Sequence, residues 1–246
     1  MVEQRETVDI VFVSTASDIQ CYNIRRVSAY LKKNGFVTKI VFLPQPFSRR
    51  YQPEVLEQVT ELCKGARLIG ISLMSNYWHN ALQLIKAIRS KCDTIIIGGG
   101  SHPSTDPEQC LKEVDMICVG EGDDTLLELT KRIKAGITDY SGIPNLQYKQ
   151  NGQLIRNELA LFDKVDEIPT PDYELEDHYI LFEDKLQPMT YDLFRCFYGE
   201  LYSTQFTFGC PFTCSFCIHN IYNKRFKFRF RKRPIKNVLE ELRYIK

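Results

Sequence analysis

A chain of 246 residues, 43% hydrophobic and 26% charged with a formal net charge of +1, has the composition of a globular protein of one or two domains. That excludes the disordered and collagen-like classes, and a charge near zero argues against a protein built wholly around nucleic acid. No apolar run approaches the ~20 residues of a membrane helix, and the opening Met1-Val2-Glu3-Gln4-Arg5-Glu6 has no signal-peptide pattern; the expected location is cytoplasmic.

The first 140 residues alternate strand and helix. Residues 8–13 form a short β-branched and aromatic run, suited to a strand covered on both faces. Ile24, Val27 and Leu31 recur at helical spacing and Gly35 stops the helix. Residues 36–43 read as a second strand. Pro53 starts a helix carrying Val55, Leu56, Val59 and Leu62, which ends at Gly65. Residues 68–73 are the third strand, and Asn76 is the expected cap of a helix with Ala81, Leu84, Ile85 and Ile88 inward. Residues 94–97 are the fourth strand, Asp106-Pro107 a cap with proline at the first helical position, and residues 116–119 the fifth strand. Leu126, Leu127, Leu129 and Ile133 mark the fifth helix, which stops at Gly136. Five alternations predict an α/β, Rossmann-like domain over residues 1–140, with a flavodoxin-type five-stranded parallel sheet.

Ligands of such sheets bind outside the carboxyl ends of the strands. The candidate site is therefore Ser14 and Thr15, then Ser72, Met74 and Ser75, then Gly98, Gly99, Gly100 and His102, and finally Gly120, Glu121 and Gly122. Glycine admits close backbone approach and hydroxyls donate or accept. The plainer reading is four tight strand-to-helix turns. No G-x-G-x-x-G follows the first strand and no P-loop occurs. D-x-H-x-x-G, which would place an imidazole on cobalt, is also missing.

Residues 141–200 change character. Asn151-Gly152 between two strand-like runs signals a hairpin. Residues 163–184 hold nine acids against one base, Lys164, with Pro169 and Pro171 among them, and read as an extended connector with a solvated acidic face.

Nine cysteines in a chain of this length, without an export signal, point to metal ligands or packed thiols rather than disulfides. Cys210, Cys214 and Cys217 stand in the spacing C-x3-C-x2-C, in a loop punctuated by Gly209 and Pro211. Three soft thiolates this close suit an iron–sulfur cluster. Zinc held by the same three with His219 and three inert thiols are the alternatives. The other six cysteines are expected to pack rather than react.

With Phe216 just before its last cysteine, this motif resembles the signature of radical S-adenosylmethionine (SAM) enzymes. The five βα units ahead of it are similar to the cobalamin-binding domain of the B12-dependent subfamily, in Gly70-Ile71-Ser72, Gly98-Gly99-Gly100-Ser101-His102-Pro103 and Val119-Gly120-Glu121-Gly122. Residues 166–173 and Phe230-Arg231-Lys232-Arg233-Pro234 fit as well. The resemblance implies that Cys210, Cys214 and Cys217 ligate a [4Fe-4S] cluster whose open iron chelates SAM. It also implies that Phe216 packs near the adenine and that the strand-end residues above hold cobalamin, base-off and without a histidine ligand. Radical methyl transfer or oxidative cyclisation on a small-molecule or peptide substrate would follow, with electrons from a donor such as ferredoxin or flavodoxin.

After the cysteines, Pro234 starts a helix with Ile235, Val238, Leu239, Leu242 and Ile245 on one face. Residues 201–246 read as the start of a radical SAM (β/α) barrel, which takes at least ~200 residues when whole. The expectation is a truncated chain, incomplete as an enzyme by itself. Residues 223–246 carry ten bases against two acids, with Phe226, Phe228 and Phe230 interleaved. A second reading follows from them: a non-enzymatic flavodoxin-like module with a zinc-stapled basic tail on single-stranded nucleic acid. Arginines facing the acidic connector or a bound anion are the expected arrangement, and nucleic acid is not the expected partner.

Overall fold

The computed structural model describes residues 7–226 and 229–245. In chain order the elements begin with β1 (Ile10–Ser14), α1 (Tyr22–Lys33), β2 (Thr38–Phe42), α2 (Pro53–Cys63), β3 (Leu68–Ser72), α3 (Trp78–Arg89) and β4 (Ile95–Gly99). Next come α4 (Ser101–Thr105), α5 (Pro107–Cys110), β5 (Met116–Cys118), α6 (Asp123–Lys134), β6 (Leu146–Gln150) and β7 (Gln153–Arg156). The rest are β8 (His178–Phe182), β9 (Lys185–Pro188), α7 (Tyr191–Tyr198), β10 (Thr207–Phe208), α8 (Ile218–Arg225), β11 (Arg231–Lys232) and α9 (Ile235–Ile245). No helix among the described residues is long and apolar enough to cross a membrane.

The continuous apolar runs of the strands are explained by burial on both faces, because successive side chains point to opposite sides of a sheet. Ile10, Phe12, Ile40 and Phe42 face one core with Val27 and Leu31 of α1 and Leu126 and Leu129 of α6. Their neighbours Val11, Val13, Val41 and Leu43 face the other, with Val55 and Val59 of α2 and Leu84 and Ile88 of α3. The stripes read for α1, α2, α3 and α6 are thus the faces that meet the sheet, whereas that of α9 leaves Ile235, Leu239 and Leu242 exposed.

The expected five-stranded sheet is corrected to nine strands, in the order β7-β6-β5-β4-β3-β1-β2-β8-β9. The middle five, β2-β1-β3-β4-β5, are all parallel. Hairpins extend both edges. β6 pairs antiparallel with β5, and β6 turns into β7 through Asn151 and Gly152 at φ 51 and 76, the left-handed pair that a two-residue hairpin turn requires. At the far edge β8 joins β2 in parallel and β9 returns antiparallel. The acidic stretch 163–184 is therefore not an extended connector throughout, since its last third holds β8. At the chain's end, β10 and β11 form a separate antiparallel pair, Phe208 opposite Arg231, where a parallel βα unit was expected.

Two caps came out differently. The Asp106 side chain accepts from Gln109 N at 3.1 Å and caps α5 as expected. Asn76 caps nothing: it lies inside a 3-10 turn at Ser75–Tyr77, and α3 begins two residues later.

A buried polar node ties the edge hairpin's approach to α1. Arg25, fully buried, donates to Ile19 O at 2.9 Å and Asp172 O at 2.8 Å, and its guanidinium lies 4.5 Å from the Phe42 ring centre and 4.7 Å from that of Tyr173. The Asp172 carboxylate accepts from Ser28 Oγ at 2.6 Å and meets Lys32 Nζ at 3.1 Å and His178 Nε2 at 3.3 Å. Burial opposes ionisation of Asp172, but His178, Ser28 and Lys32 outweigh it and hold the carboxyl well below the usual carboxylate range. A depressed folded value means stability that is present above the unfolded pKa and lost as pH falls through the folded one. Asp172→Asn is accordingly expected to lower unfolding free energy by about 2–3 kcal/mol at neutral pH. It should also flatten the loss of stability below about pH 4. Urea melts of both proteins at neutral and acidic pH check this.

Candidate functional site

The parallel strands end on a single edge, and the loops that leave them bound a cavity of about 660 Å³. Ser72 and Met74 line it after β3, Gly99 and Gly100 after β4, and Gly120, Glu121 and Gly122 after β5. The first turns of α1 add Tyr22 and Arg26. Phe208, Tyr222, Phe226 and Arg231 from the C-terminal part close the opposite side.

Two glycines are required where they stand. Gly100 has φ 110, and a Cβ on it would fall 2.8 Å from Leu73 O; Gly120 has φ 92. A Cβ on Gly99 would meet nothing within 4 Å, so the floor is bare there and a flat ligand can approach the backbone. A bare glycine floor and apolar neighbours such as Phe12, Ile71 and Leu126 fit the body of a corrin.

The other strand-end residues are placed elsewhere. Ser14 and Thr15 are buried, and Ser14 Oγ lies 3.0 Å from Cys21 Sγ. Gly98 sits within β4, where a Cβ would fall 2.6 Å from Leu73 Cδ1. Ser75 Oγ lies 3.0 Å from His102 Nδ1. The His102 ring is buried with its centre 4.6 Å from that of Trp78. Serine and tryptophan thus engage the one histidine of these loops. Phe216 is 91% exposed.

The cysteine loop starts at the cavity's rim, where Gly209, Ile218 and His219 are lining residues. Asn223 Nδ2 donates to Cys210 O at 2.9 Å and ties the loop to α8. Cys214 is exposed, Cys210 and Cys217 half-buried. Among the described residues, no three His, Cys, Asp or Glu side chains stand close enough together to hold a metal ion. The donors therefore suit an iron–sulfur cluster in kind, as three thiols of one accessible loop, but are not gathered onto one point. Two further cysteines line the cavity. Burial pushes the Cys21 thiol up to about 11 and the Cys118 thiol up to about 12, so both stay protonated at neutral pH and neither offers a thiolate.

Sequence reasoning named Glu121 but missed the partners that cover the cavity. Glu121 meets Arg231 in a two-pronged ion pair, Oε2 to Nη1 and Oε1 to Nη2, both at 2.7 Å. Arg26, buried, meets buried Asp123 at 2.8 Å, and burial pushes the Asp123 carboxyl up. Phe208 lies between the two arginines, 5.0 Å from the Arg26 guanidinium and 5.6 Å from that of Arg231. The alternation of aromatic and basic residues from 225 to 233 was the available signal, but partners such as Glu121 and Ser104, more than a hundred positions away in sequence, were not. Arg225 donates to Ser104 O, Arg229 pairs with Asp163, and Arg233 pairs with Glu241 at 2.6 Å. Lys227, Phe228 and Lys246 of the basic stretch lie outside the described residues.

Comparison with known proteins bears on this site. An uncharacterized methyltransferase of Pyrococcus horikoshii is 31% identical over 181 residues, which cover 71% of this chain and 36% of that protein. The anaerobic magnesium-protoporphyrin IX monomethyl ester cyclase of Rubrivivax gelatinosus is 26% identical over 230 residues, 88% of this chain and 37% of the cyclase. This chain thus spans just over a third of the length of the curated relatives it matches. Among solved structures, the radical S-adenosylmethionine methyltransferase TsrM of Kitasatospora setae, with tryptophan and a SAM analog bound, is similar over 96% of this chain and 45% of its own. The TM-score is 0.74 at 20% identity. A structure of the same protein with cobalamin and a [4Fe-4S] cluster gives 0.65 at 18%. At these identities the likeness is one of fold. Residues 8–130 match the model of the B12 binding domain, a span that runs from just before β1 into α6 and includes every loop of the cavity floor; the chain belongs to that family.

Proposed function

We propose that this chain is the cofactor-binding part of a cobalamin-dependent radical SAM enzyme that transfers a methyl group to an organic substrate. One observation carries the reading: the glycine loops and the start of the cysteine loop line the same cavity, Gly99 and Gly120 on one side, Gly209 and Ile218 on the other. Two cofactors that act on one substrate must lie side by side.

Bound there, cobalamin supplies a cobalt centre that carries and hands over a methyl group. Ser72, Met74, Gly99 and Gly100 offer it backbone and small side chains, and Gly120 and Gly122 continue that floor. His102 Nδ1 is engaged by Ser75 and its ring lies against that of Trp78 rather than lining the cavity, which supports base-off binding without a histidine ligand. Cys210, Cys214 and Cys217 are the donors for a [4Fe-4S] cluster that binds SAM. Residues 201–246 open the domain that completes the SAM site. A donor such as ferredoxin or flavodoxin supplies electrons, and the substrate is a small molecule or peptide. The Pyrococcus and Kitasatospora proteins support methyl transfer, and the Rubrivivax protein supports cyclisation as the second outcome of the same chemistry.

Absorbance titration of the folded chain with hydroxocobalamin tests the reading. Saturable binding of about one per chain is expected, and a chain that binds none overturns it. Gly99→Val, whose Cβ would meet nothing within 4 Å, should weaken that binding by about tenfold or more and leave the melting temperature unchanged. For the cluster, anaerobic reconstitution with iron and sulfide should give about four iron per chain and a band near ~400 nm. Replacing Cys210, Cys214 and Cys217 by alanine together should abolish both, whereas near-stoichiometric zinc without the band would sink the cluster assignment.

A further inference from the structure

The floor of the cavity is bare at Gly99 but not at Gly120. Phe226, the residue that follows α8, lays its ring on Gly120 so closely that a Cβ there would fall 2.4 Å from Phe226 Cζ and 3.1 Å from Cε1. The ring is buried, 7% exposed, and is itself a lining residue of the cavity. Its edge meets the Tyr222 ring at 84°, with centres 6.0 Å apart.

The segment that delivers this ring is held by half-buried contacts, chiefly Tyr222 packed against one of the two cores. No residue of α8 is buried. Asn223 bonds back to its own cysteine loop, at Cys210 O and Phe212 O. Arg225 reaches one carbonyl, Ser104 O. Phe226 is therefore the buried anchor at the end of a helix that is half-buried over residues 218–223 and exposed at Lys224 and Arg225, and the surface it rests on is one that a glycine at positive φ keeps free of side chains.

We infer that the backbone at Gly120 is a subsite for the flat apolar face of a ring-shaped cofactor, and that Phe226 is its internal occupant, displaced when the cofactor binds. The inference rests on the cobalamin reading of the cavity. A phenyl ring covers only part of what a corrin would cover, so the exchange of one flat apolar face for a larger one is favourable. Until the exchange occurs, the site is competent only in the fraction of molecules whose ring is withdrawn, and the apparent affinity is reduced by that fraction.

Binding of hydroxocobalamin to the full chain and to Phe226→Ala, followed by stopped-flow and at equilibrium, tests the inference once circular dichroism shows that the variant is folded. The variant should bind faster and about tenfold tighter. Equal or weaker binding by the folded variant overturns the plug and leaves the cobalamin reading standing; binding by neither protein overturns both. Hydrogen exchange in the unmodified chain gives a readout that needs no variant. Amides of residues 218–226 should exchange faster when cobalamin is bound, and unchanged or slower exchange overturns the displacement.

Discussion

Glu121 is the group around which the two parts of the chain meet. Its carboxylate takes both prongs of Arg231 and, at Oε2, the amide of Phe162 at 2.7 Å. Its backbone oxygen accepts from Asn145 Nδ2 at 2.9 Å. Arg231 also donates to Phe162 O. One residue of the glycine loop thus fixes the start of the edge hairpin, the entry to the acidic stretch and the strand pair that leads to the cysteines. The Arg231 side chain is 7% exposed. Removing two charges from water at such a site costs several kcal/mol, which two parallel charge-assisted bonds and the Phe162 amide offset. Removing one partner alone would strand the other, at about 3–5 kcal/mol, so the pair works as a geometric lock more than as a source of net stability.

The cavity lies where the topology forces a gap. From β1 the chain goes first to β2 on one side and then to β3 on the other, so the loops after β1 and β3 leave in opposite directions and open a crevice between them. Gly70 widens it from below. A side chain there would collide with the Phe12 ring at 2.9 Å, and its absence lets Phe12 stand upright as a wall of the cavity. The short loops after β4 and β5 supply the floor, and only the C-terminal part is left to form the roof.

What the sequence made legible follows from the range of the forces involved. Strand runs and helix stripes express burial against the nearest sheet face, and residues 8–134 could be read that way. The β8–β9 hairpin could not. Its strand run at 178–182 sits among acids, and its turn uses Glu183 and Asp184 at φ 50 and 57 rather than an Asn-Gly pair. The site divides on the same principle. Glycine positions on the strand edge were legible because backbone approach is local. Glu121 could be named as a site residue, but its engagement with Arg231 is a contact across 110 positions that no local pattern encodes. Ser14, read as a ligand contact, instead faces Cys21, because residues 14–21 fold back so that Cys21 itself takes a left-handed conformation at the start of α1.

The net charge of +1 conceals a division that has a structural use. The acids lie in the body and the acidic stretch, the bases gather at the end, and the end folds over the body's cavity. The partners met there are not equivalent. Arg229 and Asp163 are both more than half exposed, so solvent and salt screen their attraction, which draws the segments together without fixing them. Arg231 is buried on half-buried Glu121, and Arg233 and Glu241 are both buried. A displaced register would leave Arg231 and Glu121 unpaired, whereas Arg233 and Glu241 lie in the same segment and hold β11 to α9. Long-range attraction therefore brings the basic segment to the acidic face, and the Arg231–Glu121 pair sets its register. That register places β10, opposite β11, at the cavity wall and starts the cysteine loop, at Gly209, on the rim of the glycine floor.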